Sequence, residues 1–275
     1  MQKVLYTGQI QEYSQYLEPK MIDYIAQGQT EAFEGFENFD LMAFDWYDVH
    51  ASDTGPSKIL IYADREDLFF FCEDERGYSR VQPLLADGQS NERALYLFFV
   101  GLLKNDMSRL DALESEITDS EDAALRGTQS DYLQHIRDYR RELLRMKRYY
   151  QQLGYITDNL TANDNGLFTK AGVRSFAIIG NRLERFLSDV MHLRDYVTQM
   201  REACQAQLDL EQNNLMRVFT VITAVFLPLT LIVGWYGMNF DMPELSWPYG
   251  YPLVIALSAA VCAGLLMWFM HKKWF

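Results

Sequence analysis

The chain is short of proline, of cysteine and, toward its C-terminal end, of positive charge. No proline lies between Pro83 and Pro228, so no residue in that interval forbids a continuous helix by lacking an amide hydrogen. No lysine or arginine lies between Arg217 and Lys272, and the only acids there are Asp241 and Glu244. A stretch so poor in charge does not make an ordinary solvated surface. The three cysteines, Cys72, Cys204 and Cys262, are far apart. They exclude a disulfide framework and a clustered metal-ligand motif, and they suit a reducing compartment. There is no Gly-rich phosphate loop, and no Ser/His/Asp, Cys/His or metal-ligand cluster with recognisable spacing, so an enzyme is not expected. The pair Glu114 and Glu116 reads as helix surface. Met1 to Tyr16 is polar, without the apolar run of a signal or transit peptide. The large N-terminal part is therefore expected in the cytosol.

What charge there is sits upstream. The 275-residue chain carries a net charge of −13, and 36 of its 38 acids and 23 of its 25 Lys and Arg residues precede Val218. Such a surface repels nucleic acid and attracts cations, so no nucleic-acid partner is expected. For any single carboxylate the plain alternative is a solvated group that keeps the domain soluble.

Residues 1–88 read as a small α/β domain. Lys3–Thr7, Leu41–Val49, Lys58–Tyr62 and Leu68–Cys72 are rich in aromatic and aliphatic residues and bounded by turn-formers such as Asp53-Thr54-Gly55-Pro56 and Glu73–Gly77. Glu12–Gln27 is a candidate for short helix. From Asn91 the period changes: Leu95, Phe98, Phe99, Leu102, Leu103, Leu110, Leu113 and Ile117 recur at helical steps. A break is expected at Arg126-Gly127-Thr128. A second helix follows over Ser130–Leu160, with Leu133, Ile136, Leu143, Leu144, Met146 and Leu153 on its buried stripe. The opposite face holds Arg137, Arg140, Arg141, Arg145, Lys147 and Arg148, which are solvated or paired with Asp111, Glu114 and Glu116. Residues 89–166 thus form a helical hairpin ending at the turn signal Asn163-Asp164-Asn165-Gly166. A third helix starts near Leu167 and meets no proline until Pro228. Carried on to Tyr236, it spans about 70 residues, or roughly 100 Å. Residues 167–217 are then a stalk packed on other helices, including those of other copies.

Val218 to Trp235 and Pro252 to Met270 are almost wholly apolar, and each matches the length of about 20 residues that crosses a bilayer. The predicted spans are 218–236 and 251–271, joined by a loop at 237–250. Trp235, Tyr236, Trp247, Tyr249 and Tyr251 gather at that loop, and Trp268 and Trp274 mark the far end, as in an interfacial aromatic belt. Arg217 before the first span, and Lys272 and Lys273 in the 272–275 tail, place both ends in the cytosol by the positive-inside rule. The loop with Asp241 and Glu244 then faces outward, an acidic entrance for cations. Along the first span Asn213, Met216, Thr220, Thr223, Leu227, Thr230 and Gly234 form one stripe of small, hydroxyl-bearing or flexible residues. Spacing alone leaves two readings, a pore wall and a helix–helix packing face.

The stretch Met216–Leu245, MRVFTVITAVFLPLTLIVGWYGMNFDMPEL, resembles the first membrane helix and signature of the CorA family of magnesium transporters. The likeness rests on Tyr236 followed by Gly237-Met238-Asn239 directly after the span, on Phe226-Leu227-Pro228-Leu229-Thr230, on Met242-Pro243-Glu244-Leu245, and on the second span with its basic tail. The resemblance implies an α+β membrane protein with an N-terminal cytosolic α/β domain, a long helical stalk and two C-terminal transmembrane helices. It further implies a homopentamer in the cell (inner) membrane whose first spans line a central pore. Asn239 would ring the outer mouth and bind the waters of Mg²⁺, with Gly237 permitting the turn and Met238 shaping it. Asn213 and Thr230 would be polar pore positions, and Met216, Phe219 and Leu227 apolar ones. Uptake would be passive and driven by the membrane potential, with Co²⁺ and Ni²⁺ as further cargo, no cofactor, and a regulatory Mg²⁺ on stalk carboxylates. Counting back from the signature, the family's stalk carboxylate falls on Ile178, which leaves Asp189 and Asp195 as candidates. A zinc transporter of the same superfamily is one alternative, and a membrane-anchored scaffold that conducts nothing is another.

Overall fold

A computed structural model describes residues 1–19, 21–22, 32–51, 54–85, 88–124, 129–238 and 247–272. Two compact units divide the chain, Met1–Arg201 and Glu202–Phe275.

The first unit is organised around β1 (Gln2–Tyr6), β2 (Phe33–Gly35), β3 (Phe39–Trp46), β4 (Ser57–Asp64) and β5 (Leu68–Cys72), in spatial order β1-β5-β4-β3-β2. β1 runs parallel to β5, and every other pair is antiparallel. All five residues of β5, Leu-Phe-Phe-Phe-Cys, are buried. A strand buried on both faces reads as a continuous apolar run rather than an alternation, which is how its sequence reads. On one face Leu41, Leu60, Tyr62, Phe69 and Phe71 pack with Ile10, Leu17 and Met21. On the other, Phe44 and Phe70 meet Phe98, with ring centroids 6.3 and 4.7 Å apart.

Phe98 belongs to α2 (Asn91–Leu102), which follows the short helix α1 (Glu75–Val81). α1 was not expected, because Glu73–Gly77 reads as a turn. Asp74 caps it by accepting from the Gly77 amide at 2.9 Å. Gly77 is required there: a Cβ would lie 2.7 Å from Ser57 Oγ. The expected run of helix from Asn91 to Ile117 is interrupted as well. α3 (Asp106–Ala124) begins after Asn105, whose φ of 69° is left-handed backbone that asparagine tolerates. The break expected at Arg126-Gly127-Thr128 lies outside the described residues.

α4 (Gln129–Ala162) buries Ile136, Leu143, Met146 and Leu153 as expected, whereas Leu133 and Leu144 of the predicted stripe are exposed. Tyr149 and Tyr150, both buried, fill the face instead. Arg137, Arg140, Arg141 and Arg148 are exposed, in keeping with a solvated face, and an ion pair between the two helices runs the other way. Arg109 of α3 binds Glu116 of its own helix and Glu142 of α4, each at 2.7 Å, whereas the paired arginines were sought on α4.

α5 (Lys170–Tyr236) contributes to both units. Its start is held by Glu92 of α2, which accepts hydrogen bonds from the Thr169 amide and, at 2.8 Å, from Thr169 Oγ1. Phe176, Ile179, Leu183, Phe186, Val190, Leu193, Val197 and Met200 are buried at three- and four-residue steps. Tyr150 lies against Phe186, with centroids 5.4 Å apart, so the chain's own hairpin covers this part of the stalk. Two buried carboxyls stand out. Burial raises Asp40 to about 6 against the weaker opposing hydrogen bond from Asn165. Burial likewise raises Asp106 to about 6, partly offset by Tyr150, Arg80 and Arg182.

Candidate functional site

Two helices are long and apolar enough to cross a membrane, the C-terminal part of α5 and α6 (Gly250–His271). They are joined in the second unit by a narrow apolar seam. Val221, Val225 and Phe269 are buried in it, with Ala224, Leu229, Cys262 and Leu265 packed around them. An α-helix turns by about 100° per residue, so Val221, Ala224, Val225 and Leu229 share one face of α5. The seam was not anticipated. In a helix where nearly every residue is apolar, an apolar period carries no signal, and only the hydroxyl-bearing residues stand out.

The sequence-derived stripe lies on roughly the opposite face. Met216, Phe219 and Leu227 are 58, 63 and 66% exposed, and Asn213, Thr220, Thr223, Thr230 and Gly234 are exposed as well. The packing face between the two spans of one chain is therefore a different set of residues from the stripe. Thr223, Leu227, Thr230, Gly234 and Met238 line a groove of about 870 Å³ together with Ile222, Phe226, Leu231 and Trp235.

The threonine hydroxyls are oriented by their own helix. Thr220, Thr223 and Thr230 donate to the carbonyls of Met216, Phe219 and Phe226, each at 2.8 Å. With its hydrogen committed to the backbone, each oxygen turns lone pairs outward as an acceptor. Acceptors of this kind bind the hydrogens of water around a cation. Pro228 offers no amide hydrogen to the Ala224 carbonyl one turn earlier, yet the helix continues past it.

At the end of α5 the Gly237 amide donates to the Val233 carbonyl at 2.8 Å, and Met238 donates to the Trp235 carbonyl at 3.3 Å. A Cβ on Gly237 would lie 2.8 Å from the Val233 oxygen. The signature glycine thus answers a close approach to its own backbone. Met238 is exposed. Asn239, Asp241 and Glu244 lie outside the described residues, as does Lys273.

The stalk carboxylates are not brought together. Asp195 is exposed and pairs with Arg194 at 3.3 Å. Asp189 Oδ2 is buried without a hydrogen-bond partner among the described residues. Six residues apart, the two point about 120° from one another around α5. Ile178 is 60% exposed. Among the described residues no three His, Cys, Asp or Glu side chains converge on one metal position.

Comparison with known proteins agrees with this architecture. Residues 59–273 match the family model of the CorA-like Mg2+ transporter protein. The cobalt/magnesium transport protein CorA of Thermotoga maritima is 28% identical over 181 residues, 66% of this chain and 52% of that protein. The magnesium transport protein CorA of Mannheimia succiniciproducens is 27% identical over 239 residues, 75% of this chain and 76% of that one. The chain thus spans about half the length of the first of these relatives. The CorA magnesium transporter structure from Methanocaldococcus jannaschii superposes with a TM-score of 0.73 at 21% identity, covering 88% of this chain and 79% of that one. Its fold is the one described here, a sheet domain, a long helix and a second apolar span. By the family match over most of its length, the chain belongs to the CorA-like Mg²⁺ transporter family.

Proposed function

We propose that this chain is one subunit of a homopentameric divalent-cation channel that carries Mg²⁺, and with it Co²⁺ and Ni²⁺, passively into the cell. The observation that carries the proposal is the separation of faces on α5. Val221 and Val225 bind the second span, which leaves the stripe from Asn213 to Gly234 free to surround a watery passage shared between copies. The threonine acceptors on that stripe suit an ion that travels with its water. Mg²⁺ sheds inner-shell water reluctantly, so a wall that binds water hydrogens costs it little. Exposed Met216, Phe219 and Leu227 supply apolar rings of the kind that block ions by dewetting.

Asn239, following the constrained turn at Gly237, supplies amide oxygens at the outer mouth, with Asp241 and Glu244 drawing cations to it. Both termini are cytosolic, so the membrane potential drives entry at roughly 2.3 kcal/mol per elementary charge per 100 mV. No His or Cys lies on the stripe, which favours a hard, hydrated cation over zinc. A regulatory Mg²⁺ at Asp189 or Asp195 takes its remaining ligands from another copy, because the two carboxylates face apart.

The test is Mg²⁺ uptake into liposomes by purified protein and by Asn239→Ala. Wild-type flux that Asn239→Ala abolishes without loss of assembly is the expected result. The assembled mass before detergent should be about five times the 32.1 kDa of one chain. Hexaamminecobalt, a mimic of hydrated Mg²⁺, should inhibit from outside. Absence of wild-type flux would favour a scaffold, and unchanged flux in Asn239→Ala would overturn the filter.

A further inference from the structure

The end of the hairpin opposite the signature presents two cations, Arg217 and Lys272, to which the channel reading gives no role beyond orienting the spans. Arg217 stands four residues before Val221, one helical turn back on the face that binds the second span. Lys272 stands three residues after Phe269 and seven after Leu265, again on the seam face. The two spans are antiparallel and Phe269 packs with Val221 and Val225, so both cations extend the seam past its last apolar contact. Helix periodicity therefore puts both at the same end of the seam, on the side of the chain termini.

Among the described residues no carboxylate is paired with either cation. The i−4 and i−3 neighbours of Arg217 are Asn213 and Asn214, and its i+3 and i+4 neighbours are Thr220 and Val221. Those of Lys272 behind it are Trp268 and Phe269. Neither cationic side chain makes an ion pair or hydrogen bond among the described residues. The C-terminal carbonyls of α6 offer Lys272 a partial negative charge, but Arg217 lies in mid-helix and has no such end nearby. Two like charges at one end of a seam repel each other, and an anion held there would relieve both.

Membrane depth says what that anion is. The apolar spans end at these residues, and Trp268, 53% exposed, flanks Lys272 at the level where indoles meet headgroups. We propose that Arg217 and Lys272 form a binding site for the phosphate of an anionic phospholipid in the leaflet on the side of the chain termini. The acyl chains would lie along exposed apolar surface of α5 and α6. The headgroup would neutralise the seam mouth and clamp the two spans together. This inference rests on both helices crossing a bilayer and not on which ion passes, if any.

The experiment uses the full-length protein in neutral detergent, with lipid retention read by native mass spectrometry and by thermal shift. Phosphatidylglycerol should be retained and should raise the melting temperature, whereas phosphatidylcholine and inorganic phosphate should do neither. Arg217→Gln with Lys272→Gln should weaken phosphatidylglycerol binding roughly thirty-fold, at about fivefold for each cation near an anionic surface. Arg217→Lys with Lys272→Arg should keep it. In the wild-type protein, retention should fall as salt rises. Equal retention of the two lipids, insensitivity to salt, or undiminished binding by the assembled glutamine variant would overturn the site. Inorganic phosphate that stabilises as well as the lipid would overturn the lipid assignment and leave a plain anion site. Loss of the site with Mg²⁺ uptake intact would leave the channel reading standing.

Discussion

The two units spend the same kinds of side chain in opposite ways. In Met1–Arg201 the large aromatics are covered by their own chain: Phe69, Phe70, Phe71, Phe98, Phe99 and Phe176 are each 0% exposed. In Glu202–Phe275, Phe219, Phe226, Leu231, Trp235 and Tyr251 are between 62 and 74% exposed. A water-soluble unit with that much uncovered apolar surface would associate or precipitate. The difference teaches that the second unit is built for another solvent. Among the described residues its own chain covers the thin Val221–Val225–Phe269 seam and leaves the large apolar side chains named above open.

Substitutions sharpen this contrast. The largest effect belongs to Phe98→Ala, which empties a site between two sheet aromatics and should cost about 3–5 kcal/mol in unfolding of the first unit. Loss of under about 1 kcal/mol would mean that the double-faced sheet core is looser than described. Next comes pH. Asp40 and Asp106 hold their protons to about 6 when folded, against 3.8 as the ordinary value. The folded chain therefore binds more protons than the unfolded one between those values. The stability these two carboxyls contribute is fully present below about pH 4 and is lost as pH rises through 6 to neutral, by roughly 3 kcal/mol for each group. Asp106→Asn should flatten its share of that fall in a thermal-melting series, and a slope that stays unchanged would count against burial as the cause.

Smaller again is Arg109→Gln. It strips the partner from Glu142, whose side chain is only 13% exposed, and should cost about 1–3 kcal/mol by chemical unfolding. The weakest effects test the other side of the contrast. Phe226→Ala, 62% exposed within the chain, should change the stability of unassembled protein in detergent by under about 1 kcal/mol. Asp195→Asn breaks only an exposed pair and should cost at most about 0.5 kcal/mol. A large loss from Phe226→Ala in the unassembled chain would show that this face is covered from within.

Much of this was legible in the sequence for identifiable reasons. β5 was read at its observed bounds because an apolar run between turn-formers has one cheap solution. The spans were legible because charge vanishes from them. The three-residue edge strand Phe33–Gly35 was missed, since so short a segment carries no period. α1 was missed because the residues that cap it, Asp74 and Gly77, also signal turns. Leu133 and Leu144 were assigned to the core by residue type, but the hairpin turned Tyr149 and Tyr150 inward instead. At the site, the hydroxyl stripe was visible as a pattern. The spacing left its two readings open, and where the second span packs could not be read there because that contact is set by three-dimensional register.

The claim at the centre is that the Thr223–Thr230 face of α5 meets water inside the assembly while the Val225 face meets protein. Single cysteines at Thr223, Thr230 and Val225, placed in a background lacking Cys204 and Cys262, decide it in proteoliposomes. A charged, membrane-impermeant thiosulfonate should modify Thr223→Cys and Thr230→Cys and block Mg²⁺ flux, leaving Val225→Cys untouched. Unreactive threonine positions, or modification there with undiminished flux, would contradict the account.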